Sequence, residues 1–218
     1  MTRQERACEI MRRLGELYPT AHIALDFDTP WRLLVAVILS AQTTDVGVNK
    51  VTPRLFARFP GPEDLAGADV LEVEKIVRPT GFFHNKTKSI VGAARMVVTE
   101  FDGKVPDTMA ELMRLPGVAR KTANIVSANA YGKVEGIAVD THVFRLAHRF
   151  GLSDEKDPDK VERDLCTLLP REDWYAVNYR FIDHGRTVCT AKRPACGACA
   201  LSDICPSAFM VAGWRQEA

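Results

Sequence analysis

Leu115-Pro116-Gly117-Val118-Ala119-Arg120-Lys121-Thr122-Ala123 is the stretch on which the fold turns. Proline cannot continue a helical hydrogen-bond ladder and glycine permits a tight turn, so the segment predicts a helix ended by Pro116, a hairpin at Gly117, and a second helix from about Ala119. The first amides of that second helix have no partner inside it. They also sit at the positive end of its dipole, an arrangement that accepts one phosphate. Arg120 adds attraction for a polyanion, and such a contact positions nucleic acid without reading bases. By itself, Leu-Pro-Gly reads equally well as a plain turn between helices.

Outward from the hairpin, helical periodicity dominates in both directions, with no repeat and no run of strands joined by hairpin turns. A helix is predicted from Arg3 to about Leu17, and another from Trp31 to Ser40, started by Asp28-Thr29-Pro30. Others are predicted at about 44–58, 63–77, 85–101 and 107–114, and, beyond the hairpin, at 120–131, 140–149, 158–169 and 172–186. The fold class is therefore all-α. The polar, glycine-bearing stretch Tyr131 to Gly136 reads as the internal boundary.

The 218 residues, 46% hydrophobic and 26% charged, describe a globular chain rather than a disordered or fibrous one. Its longest apolar run, Leu33 to Leu39, is too short to cross a bilayer, and Met1-Thr-Arg-Gln-Glu-Arg has no apolar stretch of a signal peptide, so a cytoplasmic protein is expected. The net charge of +1 hides an uneven distribution. Ser153 to Asp164 is acid-rich, Arg114 to Lys133 contains no acid, and Arg180 to Cys199 sets Arg180, Arg186, Lys192 and Arg193 against Asp183 alone. A polyanion-binding face is compatible with that pattern, as are two ordinary solvated faces.

Four of the six cysteines, Cys189, Cys196, Cys199 and Cys205, fall within seventeen residues as C-x6-C-x2-C-x5-C. In a reducing compartment clustered thiols hold metal more often than they form disulfides. Structural zinc favours two tight pairs and this loop has one, whereas a [4Fe–4S] cluster tolerates wider, unequal spacings. Cys8 and Cys166 stand apart in helical patterns and are expected to be buried.

The hairpin, followed by Val139-Asp140-Thr141-His142-Val143-Phe144-Arg145 and the cysteine loop, resembles the endonuclease III family of DNA glycosylase/AP lyases, in the helix–hairpin–helix superfamily. Leu39-Ser40-Ala41-Gln42-Thr43-Thr44-Asp45 and His184-Gly185-Arg186 resemble it too, and the motifs run in order from about residue 30 to 206. The resemblance implies a six-helix domain over 24–135 carrying the hairpin, and a helical iron–sulfur domain built from 1–23 and 136–218. It further implies a DNA and active-site cleft between them, and a [4Fe–4S] cluster on Cys189, Cys196, Cys199 and Cys205. The implied activity is removal of oxidised pyrimidines in base excision repair. The implied partner is double-stranded DNA carrying such lesions or abasic sites, met by a monomer at the nucleoid and not at a membrane.

The chemistry constrains the residues. Base release leaves an electron-poor C1′, which a nucleophile must attack and a carboxylate can stabilise. The resemblance gives Lys121 the first role and Asp140 the second. An amine forms an iminium that acidifies the 2′ proton, so strand cleavage by β-elimination follows. A lysine attacks as the free amine, which the start of a helix favours. Read alone, Lys121 is equally a phosphate ligand and Asp140 an ordinary N-cap. A base inside a duplex must be flipped out and its space filled. The resemblance assigns that filling to Gln42 and a wedge to Phe82, and places Leu115, Gly117, Ala119, Arg120 and His84 at the DNA. Two positions depart from the family: Phe82, where an aliphatic residue is more frequent, and Ala119, where a second hairpin glycine is. A methyl at Ala119 is expected to restrict the backbone and crowd a phosphate. Two alternatives compete, a monofunctional adenine mismatch glycosylase and a non-catalytic DNA-binding iron–sulfur module. The first lacks the lysine and the second needs neither Lys121 nor Asp140.

Overall fold

A computed structural model describes residues 1–217. It contains α1 (Arg3–Leu17), α2 (Pro30–Leu39), α3 (Asp45–Arg58), α4 (Pro62–Ala66), α5 (Val70–Val77), α6 (Phe83–Glu100), α7 (Met109–Leu112), α8 (Arg120–Tyr131), α9 (Thr141–Arg149), α10 (Pro158–Leu168) and α11 (Trp174–Thr187). No strand occurs among the described residues, and no helix there is long and apolar enough to cross a membrane. The chain divides into two compact units, one of Ala24–Glu135 and one of Met1–Ile23 with Gly136–Ala218.

In the unit 24–135, α2 is apolar except for Arg32 in its first turn, and Trp31 and every residue from Leu33 to Leu39 are buried. Such a helix must be enclosed, and α3, α6 and α8 pack around it. Its start follows the sequence closely: Pro30 opens the helix and the Thr29 hydroxyl accepts from the Arg32 amide at 3.2 Å. The segment predicted as one helix over 63–77 is two. Gly67 ends α4, and the Asp69 carboxylate starts α5 by accepting from the Leu71 amide at 3.0 Å. The helix predicted at 107–114 shrinks to α7, which stops before Pro116 because successive turns close from Leu115 to Leu112 and from Val118 to Leu115.

In the other unit, α1, α9, α10 and α11 bury one cluster that includes Ile10, Leu14, Leu146, Phe150, Leu165 and Phe181. The rings of Phe150 and Phe181 meet edge to face with centroids 5.6 Å apart. The buried stripe of α1 is Ala7, Ile10, Met11 and Leu14. Cys8 lies off that stripe and is exposed, contrary to expectation, and Cys166 is only partly buried.

Candidate functional site

The hairpin is held from below and open above. Leu112, Leu115 and Val118 are buried, while Gly117 and Ala119 are exposed. Gly117 has φ +80°, and a Cβ there would stand 2.6 Å from the Ser89 Cβ, so the turn needs glycine on two counts. Ala119 is the N-cap of α8 at φ −90°, ordinary extended backbone, and its methyl therefore imposes none of the restriction expected from the missing glycine. No side chain caps this helix, and Arg120 and Lys121, its first two residues, are both half-buried.

Asp140 caps α9. One carboxylate oxygen accepts from the His142 amide at 2.9 Å and the Val143 amide at 2.8 Å. The other lies 3.0 Å from His142 Nδ1, and the side chain retains 15% exposure. The segment leading into it is anchored where Asn178 Nδ2 donates to the Ala138 carbonyl at 2.8 Å. On α11, Gly185 lets α9 approach: an added Cβ would meet Arg145 Nη2 at 2.8 Å and His142 Cδ2 at 2.9 Å. Arg145 uses the same Nη2 to donate to the carbonyls of Gly185 and Cys189. The His184-Gly185-Arg186 motif thus has a packing reason at its centre.

Three exposed non-glycine residues of the unit 24–135, Gln42, Phe82 and Asp102, have left-handed backbone, Asp102 in the turn after α6 at φ +51°. Gln42 has φ +53° and Phe82 φ +45°, and Phe82 presents a ring that is 63% exposed. A left-handed conformation costs a non-glycine residue about 1–2 kcal/mol, and strain of this kind concentrates at working sites. His84, exposed in the first turn of α6, has Nδ1 2.6 Å from the Glu74 carboxylate.

The four clustered cysteines open onto one cavity of about 340 Å³, counting its solvent-open mouth, between Arg149, Phe150, Pro194 and Ala195. Burial pushes the Cys199 thiol up to about 11 and the Cys205 thiol in the same direction, and the charges of the neighbouring cysteines add to both. Thiolates gathered this way require a cationic centre. Arg149 already donates to Cys189 Sγ at 3.2 Å. Four thiols lining one cavity are the donor set that a four-iron cluster takes.

Residues 35–171 match the family model of the HhH-GPD superfamily base excision DNA repair protein, and residues 189–205 match the iron–sulfur binding domain of endonuclease III. Endonuclease III of Synechocystis sp. is 54% identical over 95% of this chain and 94% of its own length. The chain belongs to the endonuclease III family. Among solved structures, a non-covalent endonuclease III–DNA complex superposes with a TM-score of 0.91 at 38% identity, covering 96% of this chain and 98% of the other. A trapped endonuclease III–DNA covalent intermediate, an estranged-adenine complex, matches with the same values. As a member of that family the protein is a DNA glycosylase and AP lyase of base excision repair, and its C-terminal loop binds a [4Fe–4S] cluster.

Within this endonuclease III framework, Gln42, Phe82, His84, Leu115, Gly117, Ala119, Arg120 and Lys121 all belong to the unit 24–135, and Asp140 and the cysteines to the other. The sequence motifs assign no role to His142 or to Lys86. The first touches the Asp140 carboxylate, and the second is a buried amine between two loops. A histidine two residues after a capping aspartate was a usable clue to the first. A lysine in Asn85-Lys86-Thr87-Lys88 reads as solvated, so the second left no trace in sequence.

Proposed function

We propose that Lys121 is the nucleophile and Asp140 the catalytic carboxylate, and that the enzyme removes oxidised pyrimidines from double-stranded DNA and cuts the strand at the resulting abasic site. The observation that carries this reading is the place of Lys121, second residue of a helix whose N-terminus has no side-chain cap, directly behind the hairpin. An amine there meets a sugar whose phosphate the hairpin amides hold.

The free amine of Lys121 donates its lone pair to C1′ as the glycosidic bond breaks, and the base leaves with that bond's electrons and gains a proton. The nitrogen, now bonded to C1′, gives up one proton; the C1′–O4′ bond then breaks as the remaining lone pair forms the C=N bond of an iminium that keeps its second N–H, and O4′ takes up a proton. The carboxylate of Asp140 stabilises the positive charge at C1′ and takes up or returns protons there. Loss of the 2′ proton then expels the 3′ phosphate, breaking the C3′–O bond, and water later frees the lysine. That a relative is known as a trapped covalent intermediate with DNA supports an enzyme-borne nucleophile of this kind.

Gln42 fills the space left by the flipped nucleotide and Phe82 wedges the stack, recovering part of the unstacking cost. The iron–sulfur cluster, held by Cys189, Cys196, Cys199 and Cys205, cross-links the C-terminal loop that exposes Lys192 and Arg193. The enzyme works as a cytoplasmic monomer at the nucleoid. A duplex containing one abasic site, incubated with the protein in the presence of a chelator, is expected to be cut 3′ to that site. Binding without cutting would reduce the protein to a DNA-binding module.

A further inference from the structure

We propose that Lys86 is a positioning residue that ties the Gln42 loop to the Phe82 loop, so that the two strained residues enter the duplex as one rigid unit. The proposal rests on the reading that Gln42 and Phe82 enter DNA and adds the device that presents them.

Lys86 lies in the first turn of α6 and is 5% exposed. Its Nζ donates to Thr43 Oγ1 at 2.7 Å and to the Thr80 carbonyl at 2.6 Å. Thr43 Oγ1 donates to that same Thr80 carbonyl, closing a triangle. Thr43 follows Gln42, and Thr80 precedes Phe82 by two residues. The Lys86 amide also bonds the Phe82 carbonyl at 3.1 Å, so one residue grips the second loop at two points. Thr80 is itself buried and bonded to the Val77 carbonyl at 2.8 Å, which fixes the joint to the end of α5.

Burying an ammonium among a hydroxyl and a carbonyl, with no carboxylate partner among the described residues, is unfavourable, and burial alone lowers the pKa of this lysine. An apolar side chain would fill the volume without that cost. What the amine adds is a link between loops, because an ammonium directs several donors at once. Both linked loops hold a non-glycine residue at positive φ, a conformation each would leave if released. Without the link the loops relax separately, and the flipped state, which needs both residues at once, is reached less often.

Lys86→Met keeps the chain length and the apolar packing and removes the donors. Base release from a lesion in duplex DNA is expected to fall at least tenfold in kcat/KM, while cleavage at an abasic site in single-stranded DNA, where nothing has to be flipped or filled, stays within twofold of the parent. Combining Lys86→Met with Gln42→Ala should cost little more than the worse single change. Should Lys86→Met fail to fold, Thr43→Val opens the same joint from the other side and is expected to show the same duplex-selective loss. Parent-level duplex activity in Lys86→Met, equal losses on both substrates, or additive losses with Gln42→Ala would each overturn the proposal. If Gln42→Ala and Phe82→Ala both act like the parent on duplex, the insertion reading itself fails; if they are impaired and Lys86→Met is not, only the link fails.

Discussion

His142 Nδ1 lies 3.0 Å from one oxygen of the Asp140 carboxylate, while the other oxygen of that group holds the His142 and Val143 amides. A single carboxylate thereby caps a helix with one oxygen and has its second oriented by an imidazole. A capping group is fixed in place, and fixed charge is worth most at a reacting centre. The structural and chemical duties of Asp140 are therefore separable by substitution.

Asp140→Asn preserves a capping oxygen, so its melting temperature is expected to stay within about 2 °C of the parent while base release slows by two orders of magnitude or more. Asp140→Ala should lose the same activity and, in addition, about 1 kcal/mol of stability from the missing cap. Thermal melts beside single-turnover base release check both. Unaltered release in Asp140→Asn would leave the residue only its cap.

Gly117→Ala places a methyl on a residue at φ +80° and 2.6 Å from the Ser89 Cβ, and is expected to cost about 1–3 kcal/mol, with weaker DNA binding because the hairpin must shift. Ala119→Gly, at an ordinary extended backbone position, should change binding less than twofold. Denaturant unfolding and titration against an undamaged duplex separate the two positions.

These two neighbours show how far sequence carried. The Gly117 turn was legible because proline and glycine act on local backbone, and the all-α class because helical periodicity survives any tertiary detail. The consequence of Ala119 was not, since whether a methyl matters depends on a φ angle that the surrounding packing sets. The split of 63–77 into α4 and α5 turned on one Asp69 cap that a continuous apolar pattern masked. Cys8 was misplaced by a single position on α1, enough to rotate it off the buried stripe. Lys86 needed three dimensions, because its partners lie 43 and 6 residues away.

Cys199→Ser removes one of four thiolates lining a common cavity. The purified protein is expected to lose most of its iron and its brown absorbance, and to bind DNA more weakly as the loop bearing Lys192 and Arg193 loosens. Metal analysis of the parent finding one zinc and no iron would contradict the cluster assignment.

Arg120→Ala should weaken damaged and undamaged duplexes by similar factors, because phosphate contacts carry no base identity. The slope of log affinity against log salt is expected to become shallower by about 1, the release of one counterion fewer. A loss confined to one lesion would instead put Arg120 at the base.

If the Lys121 amine attacks C1′, borohydride reduction on an abasic duplex captures the bond it forms. The parent is expected to give a reduced, permanent protein–DNA adduct whose cross-linked peptide contains Lys121. Lys121→Gln, which keeps length and polarity but has no amine, should bind the duplex and give neither adduct nor strand cleavage. An adduct of undiminished yield from Lys121→Gln, mapped to Lys133 or the N-terminal amine, would make that other amine the nucleophile in place of Lys121.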